Sequence, residues 1–137
     1  MNDTCGTLLT VKPESARILV IDDDPELVDV LIVSLGEEGY RVLGARTGDE
    51  GLRLFISSRP DLVLLDIGLP GGIDGIELLR RIRSIIPTSR VIMVTGNTTP
   101  ERARESLELG ATAYIDKPFD FAYLKRVVAM ALRPEAG

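Results

Sequence analysis

The stretch from Arg17 to Pro25 constrains this chain more than any other. Four apolar residues, Ile18-Leu19-Val20-Ile21, run directly into three acids, Asp22-Asp23-Asp24, and then into Pro25. A short apolar run rich in β-branched residues reads as a strand buried on both faces. Asp followed by Pro reads as a helix start, with Asp24 at the N-cap and Pro25 at the first helical position. Capping accounts for Asp24 alone. Asp22 and Asp23 are left side by side at the carboxyl end of a buried strand. Like charges held that close are unfavourable unless a cation or a shared proton relieves them. The stretch therefore asks for helices on both sides of a sheet, and for the other half of a divalent-metal site.

The rest of the chain supplies the helices. Residues 1–15 show no periodicity and read as a flexible leader. A first helix is expected from about Pro25 to Glu38, with Leu27, Val28, Leu31, Ile32 and Leu35 inward and Gly39 at the left-handed position after it. Arg41 to Ala45 is a short second strand. Thr47-Gly48-Asp49-Glu50 has the capping-box pattern and opens a second helix, with Leu52, Phe55 and Ile56 inward. Leu62 to Leu65 is a third apolar strand, and it too ends in an aspartate, Asp66. A glycine-rich loop follows, and Asp74-Gly75-Ile76-Glu77 repeats the capping-box pattern ahead of a third helix. Arg90 to Thr95 is a fourth strand. Thr99-Pro100 opens a fourth helix, weakly apolar, whose inward face is expected to rest on Ala103 and Leu107. Ala113-Tyr114-Ile115 is a fifth strand, and Asp120 caps a fifth helix that Pro134 ends. Alternating strands and helices make an α/β, flavodoxin-like fold: a doubly wound, five-stranded parallel sheet with five helices, expected strand order 2-1-3-4-5. One domain over 16–133 is expected, with 134–137 as a tail or truncated linker.

In such sheets the ligand site lies beyond the carboxyl ends of the strands, near the switch between the first and third. Asp22 and Asp23, Asp66, Thr95 and Lys117 all fall at or just past strand ends, so one rim collects three carboxylates, a hydroxyl and an ammonium. The chain has no histidine and a single cysteine, Cys5. That excludes a histidine triad, a thiolate zinc cluster and an internal histidine phosphodonor. What remains is a hard, oxygen-only site suited to Mg²⁺, or to Mn²⁺. A metal, a lysine and a hydroxyl can together neutralise a transferring phosphoryl group. Asp66, with no helix directly behind it to cap, is then the natural nucleophile.

These motifs, Ile18–Asp24, Asp61–Pro70 around Asp66, Val91–Thr95 and Tyr114–Phe119 with its Lys117-Pro118 pair, resemble the receiver (phosphoacceptor) domain of two-component response regulators. The likeness covers about residues 16–133. The order 2-1-3-4-5 is also that family's, so the two expectations are not independent. The resemblance implies that Asp66 is phosphorylated. It implies that Asp23, Asp66 and the Gly68 carbonyl ligate Mg²⁺, with Asp22 acting through a metal-bound water. Lys117 and Thr95 would contact the phosphoryl group, Gly96 would give that group room, and the Lys117–Pro118 peptide would be cis. Tyr114 would change rotamer with Thr95 and signal through the fourth helix, fifth strand and fifth helix. Two departures stand out. The loop after Pro70 is one residue longer than the family's usual loop, which predicts a local bulge near Gly71-Gly72. Gly68 offers no side chain where many relatives carry a polar group that tunes dephosphorylation, and Asn97 is placed to position a hydrolytic water.

The implied partner is a histidine kinase or histidine phosphotransfer protein, with an unknown output partner or domain. Homodimerisation through the fourth-helix to fifth-helix face is a family habit that the charged residues there permit. A net charge of −5 argues against direct nucleic-acid binding. No apolar run reaches the ~20 residues of a membrane span, no signal peptide is visible, and a cytoplasmic location is expected. Three other readings compete with this one. A haloacid-dehalogenase-like phosphatase would use Asp22 as nucleophile. An FMN carrier would need a hydroxyl-rich phosphate loop after the first strand, where this chain has aspartates. A receiver-like module would bind partners without being phosphorylated.

Overall fold

Strands of four or five mostly apolar residues form the sheet, and each strand leads into a helix. In the computed structural model, which describes residues 16–96 and 99–134, these are β1 (Arg17–Ile21), α1 (Pro25–Glu37), β2 (Arg41–Ala45), α2 (Gly48–Ser58), β3 (Leu62–Leu65), α3 (Gly75–Ile85), β4 (Val91–Thr95), α4 (Pro100–Glu108), β5 (Ala113–Asp116) and α5 (Phe121–Ala131). The strands are all parallel, in the order β2-β1-β3-β4-β5. This is the doubly wound fold expected from the sequence. The expected leader with Cys5, the last three residues and Asn97 lie outside the described residues. Among the described residues no helix is long and apolar enough to cross a membrane.

Side chains alternate across the sheet, so each central strand feeds two cores. Ile18, Val20, Leu62, Leu64, Ile92 and Val94 pack with Leu31 and Leu35 of α1 and with Leu124 and Val128 of α5. Leu19, Ile21, Val63, Leu65 and Met93 pack on the other face with Phe55 of α2 and with Leu78, Leu79 and Ile82 of α3. Leu19 and Leu65 are fully buried, each worth roughly 2 kcal/mol by the area it removes from water.

All five helices start where a side-chain oxygen accepts the orphan amides of the first turn. Asp24 accepts from Glu26 N (3.0 Å), Thr47 from Glu50 N (3.1 Å), Asp74 from Glu77 N (2.8 Å), Thr99 from Arg102 N (3.2 Å) and Asp120 from Ala122 N (2.8 Å). The reciprocal legs of the two capping boxes differ from expectation. Glu50 accepts from the Arg46 amide, one residue before the cap, and Glu77 turns to Arg80 and Arg81.

Two inward assignments are corrected. Ile56 is 51% exposed, because Phe55 takes the core position and the next residue lies about 100° further round the helix. Leu107 is also 51% exposed, and Ser106 is buried in its place. The Ser106 hydroxyl donates to the Ala103 carbonyl (2.8 Å), which satisfies it without water.

Candidate functional site

Register fixes the site before any side chain does. Ile21 pairs with Leu65, so the residues that follow, Asp22 and Asp66, leave the sheet side by side. The Asp66 amide still bonds the Ile21 carbonyl (3.0 Å). On the other side Thr95 pairs with Asp116, and the Lys117 amide bonds the Thr95 carbonyl (3.0 Å). The Lys117–Pro118 peptide is cis, as the resemblance implied.

The side chains then converge. Asp22 and Asp66 are 3% and 7% exposed, while Asp23 is exposed. One oxygen from each of the three carboxylates lies within 4.8 Å of the others. Lys117 Nζ donates to Asp22 Oδ2 (2.6 Å) and Asp66 Oδ2 (3.2 Å). The remaining oxygens are held by the backbone: Asp24 N donates to Asp22 Oδ1 (2.9 Å), and Gly68 N donates to Asp66 Oδ1 (3.1 Å). Burial pushes the Asp22 carboxyl above its ordinary range, against the Lys117 hydrogen bond that pulls it down. Burial alone would lower the Lys117 ammonium, but its bond to Asp22 and the charges of Asp22 and Asp66 outweigh this and raise it. Lys117 is thus a firmly protonated counter-charge for two carboxylates that burial makes costly.

The set fits a hard divalent cation. Its donors are oxygens only, three carboxylates can share one ion, and the Gly68 carbonyl belongs to the same loop. Thr95 is fully buried at the end of β4. Tyr114 is half-buried and packs against the α2–α3 core. Gly96 serves the lysine as well, since a Cβ there would come within 3.0 Å of Lys117 Cβ.

The loop from Asp66 to Asp74 leans on the start of α2. A Cβ on Gly48 would strike the Ile73 carbonyl, and one on Gly72 would strike Asp49. Gly71 takes the positive φ (69°) that turns the loop outward. The segment where the sequence predicts a bulge, Gly71-Gly72, is thus a turn packed on the start of α2. Sequence reasoning passed over Gly75 as merely the first helical residue after a cap. Its missing Cβ lets α3 begin directly against the Asp66 carbonyl and Ile67 Cα, and its amide bonds the Ile67 carbonyl (3.0 Å). The adjacent Asp-Gly pair was the available signal.

Comparison with known proteins agrees with this geometry. The family model described as the response regulator receiver domain matches residues 18–129. Sporulation initiation phosphotransferase F of Bacillus subtilis (strain 168) is 38% identical over 112 residues, which cover 82% of this chain and 90% of that protein. Regulatory protein AtoC of Escherichia coli (strain K12) is 37% identical over 85% of this chain, which spans only 25% of AtoC. Among solved structures, a response regulator receiver domain protein (CheY-like) from Methanospirillum hungatei JF-1 superposes with a TM-score of 0.77 at 37% identity, covering 85% of this chain and 95% of that one.

Proposed function

The chain belongs to the response regulator receiver domain family of two-component systems, and from that premise we propose that Asp66 is its phosphoacceptor, in a reaction that needs a divalent cation. The observation that carries the reading is Lys117 Nζ bridging Asp22 and Asp66, with Asp23 beside them. Asp66 is the carboxylate of the pair that Lys117 holds more loosely, at 3.2 Å against 2.6 Å for Asp22.

The residues divide the work. Asp66 attacks the phosphorus of a phosphohistidine carried by a histidine kinase or histidine phosphotransfer protein. An oxygen–phosphorus bond forms, the nitrogen–phosphorus bond breaks, and imidazole leaves. Gly68 N orients Asp66 Oδ1 so that Oδ2 carries the reaction. Lys117, released from Asp66 Oδ2, turns its charge to the new phosphoryl oxygens. Asp22, Asp23, Asp66 and the Gly68 carbonyl would hold Mg²⁺, with Mn²⁺ an alternative; the ion supplies positive charge that offsets the oxygens of the transferring group. Thr95 and Gly96 border the same space. The added charge, roughly −1.5 to −2 by analogy with ester phosphates, reweights two conformations in which Thr95 and Tyr114 differ, and the α4–β5–α5 face reports the outcome. An output partner, an attached domain or a second copy of the chain would read that face. Asn97 and the bare Gly68 would set the lifetime of the phosphoryl group. The domain would act stoichiometrically, in the cytoplasm with its kinase, and not as a turnover enzyme.

The family assignment displaces both the FMN carrier and a phosphatase with Asp22 as nucleophile. Asp22 is also the carboxylate more tightly held, by Lys117 at 2.6 Å and by the Asp24 amide at 2.9 Å. The test is incubation with a small acyl phosphate and Mg²⁺, followed by intact mass. One phosphoryl group should appear on the wild type and vanish in Asp66→Asn. Persistence of the label in that variant, or no label on the wild type, overturns the assignment.

A further inference from the structure

A cluster of arginines lies at the opposite end of the sheet. Arg83 near the end of α3, Arg90 just before β4 and Arg133 just after α5 line one groove of about 730 Å³, together with Thr112, Met130 and Pro134. Among the described residues no carboxylate lines it. Among the described residues none of the three arginines is in an ion pair. That is unusual in a chain of net charge −5.

A purely structural role does not exhaust these arginines. Arg83 Nη1 donates to the Ser89 carbonyl (2.7 Å) and Arg90 Nη1 to the Ala131 carbonyl (2.9 Å). Each guanidinium carries five N–H donors, so most remain for a ligand. The ends of α3, α4 and α5 gather here, each contributing roughly half a negative charge. Three formal positive charges still leave the groove net positive. Two of its arginines are pre-positioned. Arg83 also lies flat against Gly110, where a Cβ would come 2.7 Å from its Nε. Thr112 Oγ1 accepts from Val91 N (3.2 Å), which leaves its O–H to donate. Forked guanidinium donors match phosphate oxygens in geometry. Met130, 61% exposed, and Pro134 add an apolar wall beside them. The volume lies within the range of small-molecule pockets.

We propose that this groove binds a nucleoside polyphosphate, with the phosphates on Arg83, Arg90 and Arg133 and the base against Met130 and Pro134. The inference does not depend on the phosphorylation chemistry of Asp66, which lies past the other ends of the strands. The test is an amide NMR titration of the full chain with ADP and, separately, pyrophosphate in metal-free buffer. ADP should give saturable shifts at Ser89, Arg90, Thr112 and Arg133, and should bind several-fold more tightly than pyrophosphate. Arg133→Glu should weaken ADP by about tenfold or more, the worth of a charge-assisted hydrogen bond, while Arg133→Lys keeps most of the affinity. Arg133 makes no side-chain bond among the described residues, so these variants fold, and the rest of the spectrum checks it. No saturable shift up to millimolar ADP, shifts centred on Asp22 and Asp66, equal affinity for pyrophosphate, or unweakened binding by Arg133→Glu would each overturn the assignment.

Discussion

Gly75→Ala is the substitution through which the placement of Asp66 is best tested. An ideal Cβ at Gly75 would lie 2.5 Å from Ile67 Cα and 2.8 Å from the Asp66 carbonyl carbon, and would strike the Asp66 carbonyl oxygen. Carbon pairs are comfortable at about 3.5–4.0 Å. The misfit is therefore about an ångström, and it falls entirely on backbone, which no rotamer change can relieve. Either α3 withdraws from the loop, opening the core around Ile76 and Leu79, or the segment carrying Asp66 moves. Overpacking of this kind costs about 1–3 kcal/mol, and the rigidity of the neighbours places this case near 3. Gly68→Ala is the natural comparison, since its Cβ would meet nothing nearer than Asp66 Oδ1 at 3.9 Å. Its cost should stay below about 0.5 kcal/mol, as for an ordinary surface change. Urea denaturation followed by far-ultraviolet circular dichroism measures both. If the backbone is what yields, Asp66 is displaced by a fraction of an ångström to one ångström, and its labelling by acyl phosphate should slow by about 10²-fold. A Gly75→Ala protein within 1 kcal/mol of wild type that labels at the wild-type rate would refute the claim that this contact positions Asp66.

Other contacts set further expected outcomes. Lys117→Met should abolish detectable labelling and, in metal-free buffer, lower stability by about 1–3 kcal/mol, below the 3–5 of a fully buried broken pair because Lys117 is partly exposed; a labelled variant of undiminished stability would contradict its bridging role. Asp120→Ala should cost about 1 kcal/mol by removing the α5 N-cap, read as a lower urea midpoint at unchanged slope. Gly36→Ala, in the last turn of α1 with open space around the new methyl, should raise stability by about 0.5 kcal/mol through helix propensity. Arg81 and Arg80 hold the Glu77 carboxyl below its ordinary value of 4.5. Its contribution is therefore present above that value and fades as pH falls through the lower folded one. The stability difference between wild type and Glu77→Gln should be level above pH 4.5, shrink below it, and weaken in high salt; a difference that grows on acidification would refute the pairing.

The readable parts of this sequence were those set by local chemistry. Each N-cap, from Asp24 to Asp120, needs only an oxygen three or fewer residues from an orphan amide. The strands were legible because Ile18–Ile21 and Leu62–Leu65 are apolar on both faces, and the aspartates that break those runs mark the rim. Helix phase was harder. Phe55 and Ile56 are equally apolar, and only packing into the core beneath α2 and α3 decides which turns inward. Ser106 is buried because its hydroxyl bonds back to its own helix, which composition does not reveal. Close backbone approaches at Gly48 and Gly75, and the gathering of Arg83, Arg90 and Arg133 from three distant segments, are products of the tertiary fold alone.

Lys117 reaches Asp22 across 95 positions of the chain and Asp66 across 51. Closing spans of that length is opposed by chain entropy until intervening elements condense. The acidic residues arrive in synthesis well before their counter-charge, which follows the strand that docks on β4. A chain lacking β5 has the carboxylates without the ammonium that reconciles them. The Lys117 bridge is thus a mark of a completed sheet, made only when β5 has docked on β4.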